Sequence, residues 1–285
     1  MLLQRTLVTL VILPVGLAAI YLGGIPYFIV VNIFLLLAAY EYGQLFRAGG
    51  IKPAGFLLVA GSFLLGLSRM LNGFNDLSGQ GLIKTLLSAP FLVSLLILAS
   101  ITYHLVDYER GRDQAGIDFS ATLSGIFYVG WIGAYFFSIR FLPHGLWWSL
   151  LVLASTWITD AGAYLIGKNF GRHVLSQRLS PKKTWEGYWG GVASGALGGA
   201  AIVAAGRLIT GPGWAIAPVQ GALVGLGLGL VTILGDLGES MIKRTFGVKD
   251  SGNLLPGHGG FFDRIDSWLW AGVIGYYLVV LFFSN

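Results

Sequence analysis

The chain contains no cysteine. That excludes a disulfide framework, thiolate metal sites and a cysteine nucleophile. Charge is scarce as well: only 11% of the 285 residues are Asp, Glu, Lys or Arg, against about 25% in ordinary soluble domains. The four histidines are scattered and form no His-Glu-x-x-His, which argues against zinc. No Gly-x-Ser-x-Gly is present, which argues against a serine triad. No basic tract interleaved with aromatics occurs, so nothing points to nucleic acid. No sequence repeat of the kind that marks many transporters is visible.

What fills the chain is apolar: 55% of its residues are hydrophobic. A bilayer explains the missing charge, because an ionised group at its centre costs several kcal/mol by most estimates. A transmembrane helix needs roughly 20 mostly apolar residues. On that basis the chain reads as an all-α, polytopic membrane bundle of about nine spans, near 6–22, 26–46, 54–71, 85–103, 119–141, 147–167, 187–209, 214–236 and 268–283. The third is short and rich in Gly and Ser. Arg5 and the following apolar run resemble a signal peptide, but no small-x-small cleavage site follows, so the run is read as an uncleaved first span. Pro14, Pro90 and Pro218 fall within or near spans, where membrane helices tolerate them. With the N-terminus in the cytoplasm, only Arg69, Lys84, Arg140 and Arg207 of the 18 Lys and Arg residues lie on the far side. This asymmetry obeys the positive-inside rule. Two regions follow: N-terminal membrane helices over 1–150, and a polar-rich membrane region over 151–285 with cytoplasmic loops at 168–186 and 237–267.

Glycine is abundant, at 43 residues. Gly187, Gly190, Gly191, Gly195, Gly198 and Gly199 crowd the seventh span, and Gly221, Gly225, Gly227 and Gly229 the eighth. Small residues at three- and four-residue spacing let helix backbones approach closely, so tight packing of these two helices is expected.

The polar residues collect in a few places. Residues 104–118 carry charges of mixed sign without glycine spacing and read as a solvated loop. Asp160 lies inside the sixth span, with Tyr164 and Lys168 at i+4 and i+8 on the same helical face. An ionisable residue at that depth is a functional candidate, unless it is simply tied to a nearby lysine. Ser180-Pro181-Lys182-Lys183-Thr184-Trp185-Glu186-Gly187 precedes the seventh span. It suits an anion-binding loop or an ordinary positive anchor equally well. Asp236, Glu239, Ser240 and Lys243 share one face of a helix continuing from the eighth span. Arg244, Lys249 and Asp250 follow, then the glycine-rich turn Leu255–Gly260, then Asp263, Arg264 and Asp266 before the ninth span.

Acids phased on a helix, bases beside them and glycines between suit phosphate chemistry with a divalent metal. Mg²⁺ prefers carboxylate and phosphate oxygens, Lys and Arg neutralise remaining phosphate charge, and glycines admit a bulky anion to the backbone.

The run from Ser240 through Lys243-Arg244, Lys249-Asp250, Pro256-Gly-His258-Gly259-Gly260 and Asp263-Arg264-Ile-Asp266 resembles the signature of the phosphatidate cytidylyltransferase (CDP-diacylglycerol synthase) family, without departure. The 180–187 and Asp160 segments are also similar to that family, so the strong resemblance covers roughly 156–268. The resemblance implies a membrane-embedded homodimer in the cell inner membrane, its site cytoplasmic. It implies Mg²⁺-dependent transfer of a cytidylyl group from CTP to phosphatidic acid, giving CDP-diacylglycerol and pyrophosphate. On this reading Asp236 and Asp263 are the first choice for a pair of metal ions. Asp160, Asp250 and Asp266 complete the shells or orient basic groups. Lys243, Arg244 and Arg264 act with these acids in catalysis. Ser180, Lys182, Lys183, Thr184, Ser240, Lys249 and His258 contact substrates, with the loop of Lys182 serving the lipid phosphate or clamping CTP. The rival readings are a CTP-dependent lipid kinase, which would need a base for its alcohol, and a transporter, which would need midplane charges lining a path.

Overall fold

A computed structural model describes residues 2–73, 81–211, 216–254 and 259–283. The chain is helical almost throughout: α1 (Leu2–Leu22), α2 (Gly24–Ala48), α3 (Gly55–Gly73), a short α4 (Leu82–Leu86), α5 (Ala89–Glu109), α6 (Ala115–Gly125), α7 (Tyr135–Phe141), α8 (Gly145–Phe170), α9 (Trp185–Thr210), α10 (Pro218–Val231), α11 (Ile233–Thr245) and α12 (Phe262–Phe282). Among the described residues seven helical stretches are long and apolar enough to cross a membrane. The expected first and third spans are apolar helices too, but their apolar stretches, Leu10–Leu22 and Gly55–Leu71, are shorter. The prolines explain some boundaries. Pro218 opens α10 and Pro90 is the second residue of α5, where the missing N–H costs no helical hydrogen bond.

The all-α membrane bundle is borne out, with seven rather than nine stretches long and apolar enough to span among the described residues. Three details are corrected. In the segment expected to be a loop, β1 (Val174–Ser176) and β2 (Ser180–Thr184) pair antiparallel as a short hairpin. The last helix begins at Phe262, so Asp263, Arg264 and Asp266 lie in its first turns and not ahead of it. The charged stretch 104–118 is not a solvated loop. Helix α5 runs on to Glu109, and Asp118 is fully buried in α6, where its carboxylate accepts from the Arg112 guanidinium at 2.7 Å and from the Lys52 backbone N–H at 2.7 Å. A buried carboxylate needs such partners. The hydrogen bond to Asp118 pushes the Arg112 pKa above its ordinary value.

The chain divides into two compact units. The first comprises 1–138 and 242–265. Its core includes Leu35, Tyr42, Leu58, Leu65, Phe137 and Phe262. Between α6 and α7 runs a π-helical stretch, Ile126–Trp131. There Gly130 lets the chain close on α3: a Cβ at that position would lie 2.9 Å from the Ser62 Cα.

The second unit comprises 139–241 and 266–285. Its apolar core gathers Trp148, Leu151, Val152, Val203, Val224, Leu228, Ala271 and Val279. The expected glycine packing is present. A Cβ at Gly225 would overlap the Gly195 carbonyl, and one at Gly199 the Gly221 carbonyl, so α9 and α10 meet backbone to backbone. Helix α9 meets α8 in the same way: a Cβ at Gly187 would lie 3.0 Å from the Gly167 Cα. Not every glycine serves that purpose: Gly190 and Gly198 instead make room for the Ile166 and Ile158 side chains.

Candidate functional site

In the second unit the β1–β2 hairpin is held at its base by Glu186. One Glu186 oxygen accepts from the backbone N–H groups of Arg172 (3.0 Å) and His173 (3.2 Å), and the other meets the His173 ring at 2.5 Å. Thr184 caps α9 by accepting from the Gly187 N–H, a usual N-cap role. In the hairpin the two lysines differ: Lys182 is exposed and Lys183 half-buried. The Lys183 ammonium reaches the Asp236 carboxylate at 2.6 Å. Ser180, at the start of β2, is half-buried.

Asp236 stands in the first turn of α11, and Ser240 one turn on donates to it at 3.4 Å. Gly235 allows the start of α11 to press against α12, since a Cβ there would overlap the Asp266 carbonyl. Asp266 is buried, and Asp160 projects from α8. Both lie within electrostatic range of Asp236 and of Lys183. Three carboxylates therefore repel one another, and Lys183 relieves that repulsion. The lysine within electrostatic range of Asp160 is Lys183, while Lys168 lies over the Tyr164 ring at 5.9 Å.

In the first unit a second polar cluster surrounds Asp263. Its Oδ1 takes the Lys243 ammonium at 2.6 Å. Its Oδ2 accepts from the backbone N–H groups of Ser251 and Gly260, each at 2.9 Å. Gly259 sits at φ +83, and a Cβ there would lie 2.8 Å from the same oxygen, so glycine is required both for the backbone and for the space. Arg244, Lys249, Asp250 and Arg264 are exposed. His258, with Leu255 to Gly257, lies outside the described residues.

Sequence reasoning missed Glu41 and Ser251. Glu41 is buried in α2, where its Oε2 accepts from the Ser251 hydroxyl (3.0 Å) and the Phe262 N–H (2.9 Å). The available signal was an acid inside an expected span, which marks a site by default. Its partners are some two hundred residues away and carry no pattern that points to it.

Among the described residues no three His or acidic side chains stand close enough to form a ready metal cage. The donor chemistry of the second unit nevertheless fits a hard divalent cation. It offers carboxylate oxygens of crowded like charge, with an ammonium already lodged on one of them. At Asp263 both oxygens are engaged, Oδ2 by two N–H groups and Oδ1 by Lys243, so a metal ion there would share Oδ1 with the ammonium or displace it.

Comparison with known proteins gives a match to the cytidylyltransferase family over residues 3–282. The chain is 33% identical to a phosphatidate cytidylyltransferase of Synechocystis sp. over 98% of its own length and 96% of the relative's. It is 33% identical to one of Bacillus subtilis, with 98% of each chain covered. A Mycobacterium bovis protein of the same name is 31% identical over 88% of this chain and 79% of its own.

Proposed function

Because the chain belongs to the cytidylyltransferase family and is a multi-pass membrane enzyme that transfers a cytidylyl group from CTP to phosphatidic acid, we propose that its acids and lysines divide that reaction between them as follows. Asp236, supported by Asp160 and Asp266, would hold one Mg²⁺, and Asp263 would hold the second of the pair. The observation that carries this reading is the Lys183 ammonium on Asp236 at 2.6 Å, with Asp160 and Asp266 within electrostatic range of both. When bound, Mg²⁺ supplies charge neutralisation at the phosphate oxygens.

A phosphate monoester has a second pKa near 6, so the phosphatidate headgroup is largely dianionic at neutral pH and needs no strong base. Its oxygen attacks the α-phosphorus of CTP, a new P–O bond forms, the α–β bridge breaks, and pyrophosphate leaves. The obstacle is the meeting of two anions, and cations lower it. Lys243 and Arg244 serve the nucleotide and the leaving pyrophosphate. Arg264 and Lys249 add positive charge, and Ser240 orients Asp236. Exposed Lys182 receives the lipid phosphate, whereas Lys183 keeps Asp236 compensated until the nucleotide arrives. Ser180, Thr184 and His258 are further substrate contacts, and Asp250 is an outer acid.

The N-terminus and both polar clusters face the cytoplasm of a cell whose inner membrane holds the enzyme, which supplies CTP where it is used. A second copy of the chain as partner rests on family resemblance, and the mass of the detergent-solubilised protein tests it. The reaction is tested with purified protein, Mg²⁺, phosphatidate and CTP labelled at the α- or γ-phosphorus. Transfer of α-label to lipid is expected. Transfer of γ-label alone would identify a lipid kinase and end this reading.

A further inference from the structure

The geometry points to Glu41 as a positioning residue for cytidylyl transfer: through Ser251 and the Phe262 N–H it fixes where Asp263 and Lys243 stand. This rests on the proposed catalytic role of Asp263 and Lys243.

Glu41 lies one residue before Tyr42 in α2 and is only 2% exposed. An acid so deep in an apolar helix needs partners. Two come from the far end of the chain. The Ser251 hydroxyl and the Phe262 N–H both donate to Oε2, and hydrogen bonds to a carboxylate are stronger than neutral ones.

Ser251 is a double link. Its N–H donates to Asp263 Oδ2 at 2.9 Å while its hydroxyl binds Glu41 and receives the Asp263 N–H at 3.3 Å. Asp263 in turn holds Lys243. An unbroken polar chain therefore runs Glu41, Ser251, Asp263, Lys243. Two glycines fit around the carboxylate. A Cβ at Gly252 would overlap Glu41 Oε1, and one at Gly260 would overlap both Ser251 Oγ and Glu41 Oε2. The slot is thus shaped to a carboxylate on α2, and the carboxylate holds both Ser251 and Phe262. Without it, Ser251 loses an acceptor and the start of α12 loses a hold one residue before Asp263. Glu41 touches no reacting atom in this scheme; it acts through the placement of others.

The test measures kcat and both KM values for Glu41→Ala, Glu41→Gln, Ser251→Ala, the Glu41→Ala/Ser251→Ala double variant and Asp263→Asn, in purified, monodisperse protein. A small displacement of a catalytic group costs up to about a hundredfold. Glu41→Ala is expected to lower kcat roughly ten- to a hundredfold, with both KM values changed by less than about threefold. Glu41→Gln should restore most of that loss, because its amide oxygen still accepts both bonds. Ser251→Ala should lower kcat in the same way, and the double variant should fall no lower than the worse single one, as for residues acting in one network.

Wild-type kcat in Glu41→Ala, losses that multiply in the double variant, or a Gln variant as impaired as Ala would each overturn the inference. If Glu41→Ala fails to fold, Ser251→Ala decides: a wild-type kcat there overturns it. Should Asp263→Asn retain wild-type turnover, the underlying site reading fails whatever Glu41 does. An inactive Asp263→Asn beside an unimpaired Glu41→Ala would remove this inference alone.

Discussion

Asp263→Asn separates catalysis from structure with one atom exchanged. The Asp263 side chain is 7% exposed and its Lys243 partner 12%, so the pair is partly buried. Removing one partner of a fully buried pair costs about 3 to 5 kcal/mol, against about 0 to 1 for a surface pair, and this pair falls between. The asparagine oxygen can keep both backbone bonds, from Ser251 and Gly260, which places the cost at about 1 to 3 kcal/mol. What changes at Oδ1 is decisive: an N–H donor now faces the Lys243 ammonium, itself only a donor. A cation that Asp263 should hold or hand over is no longer held. Loss of a key charge-stabilising group predicts a fall in turnover of at least about a hundredfold. The assay is incorporation of α-labelled CTP into lipid, normalised to monodisperse protein and run well below the melting temperature measured on the same sample. A well-folded Asp263→Asn enzyme with wild-type turnover would refute the role assigned to this carboxylate.

The two hairpin lysines should differ in kinetics. Lys182→Ala should raise the KM for phosphatidate more than that for CTP, whereas Lys183→Ala, which strips Asp236 of its partner, should chiefly lower kcat. A Lys182→Ala enzyme impaired only toward CTP would make the hairpin a nucleotide clamp. Gly225→Ala puts a methyl group into the Gly195 carbonyl and should destabilise the protein by about 1 to 3 kcal/mol, read as a lower melting temperature in detergent; an unchanged melt would contradict the backbone-to-backbone packing of α9 and α10. Because the chain lacks cysteine, single cysteines report topology cleanly. A membrane-impermeant thiol reagent on intact cells should miss positions 172 and 253 and label position 84, and the reverse pattern would overturn the orientation.

The membrane helices were legible because their signal is local. An apolar run of sufficient length states a span by itself, and the glycine spacing in α9 and α10 correctly announced close backbone contact. The boundaries were less legible for a physical reason. Hydropathy marks where the apolar run ends, while a helix ends where its hydrogen bonds do. Helix α12 therefore begins six residues before its expected span, with Asp263 and Asp266 already helical. The same confusion made 104–118 look like a solvated loop. Mixed charge is compatible with water, but also with a buried acid such as Asp118 closed off by Arg112 and by the Lys52 N–H.

The site was legible as a set of residues and illegible as an arrangement. Asp160, Asp236 and Asp266 stood in the sequence as three separate suspects, and the fold brings them together because helices α8, α11 and α12 each contribute one to the same unit. Lys182 and Lys183 stood as one doublet, and the fold parts them. In the hairpin one lysine is exposed and the other is half-buried with its ammonium on Asp236. The base of the hairpin is held by Glu186, whose carboxylate takes the N–H groups of Arg172 and His173, and by the Trp185 N–H, which donates to the His173 carbonyl at 2.9 Å; no reading of side-chain types alone would reveal these backbone bonds.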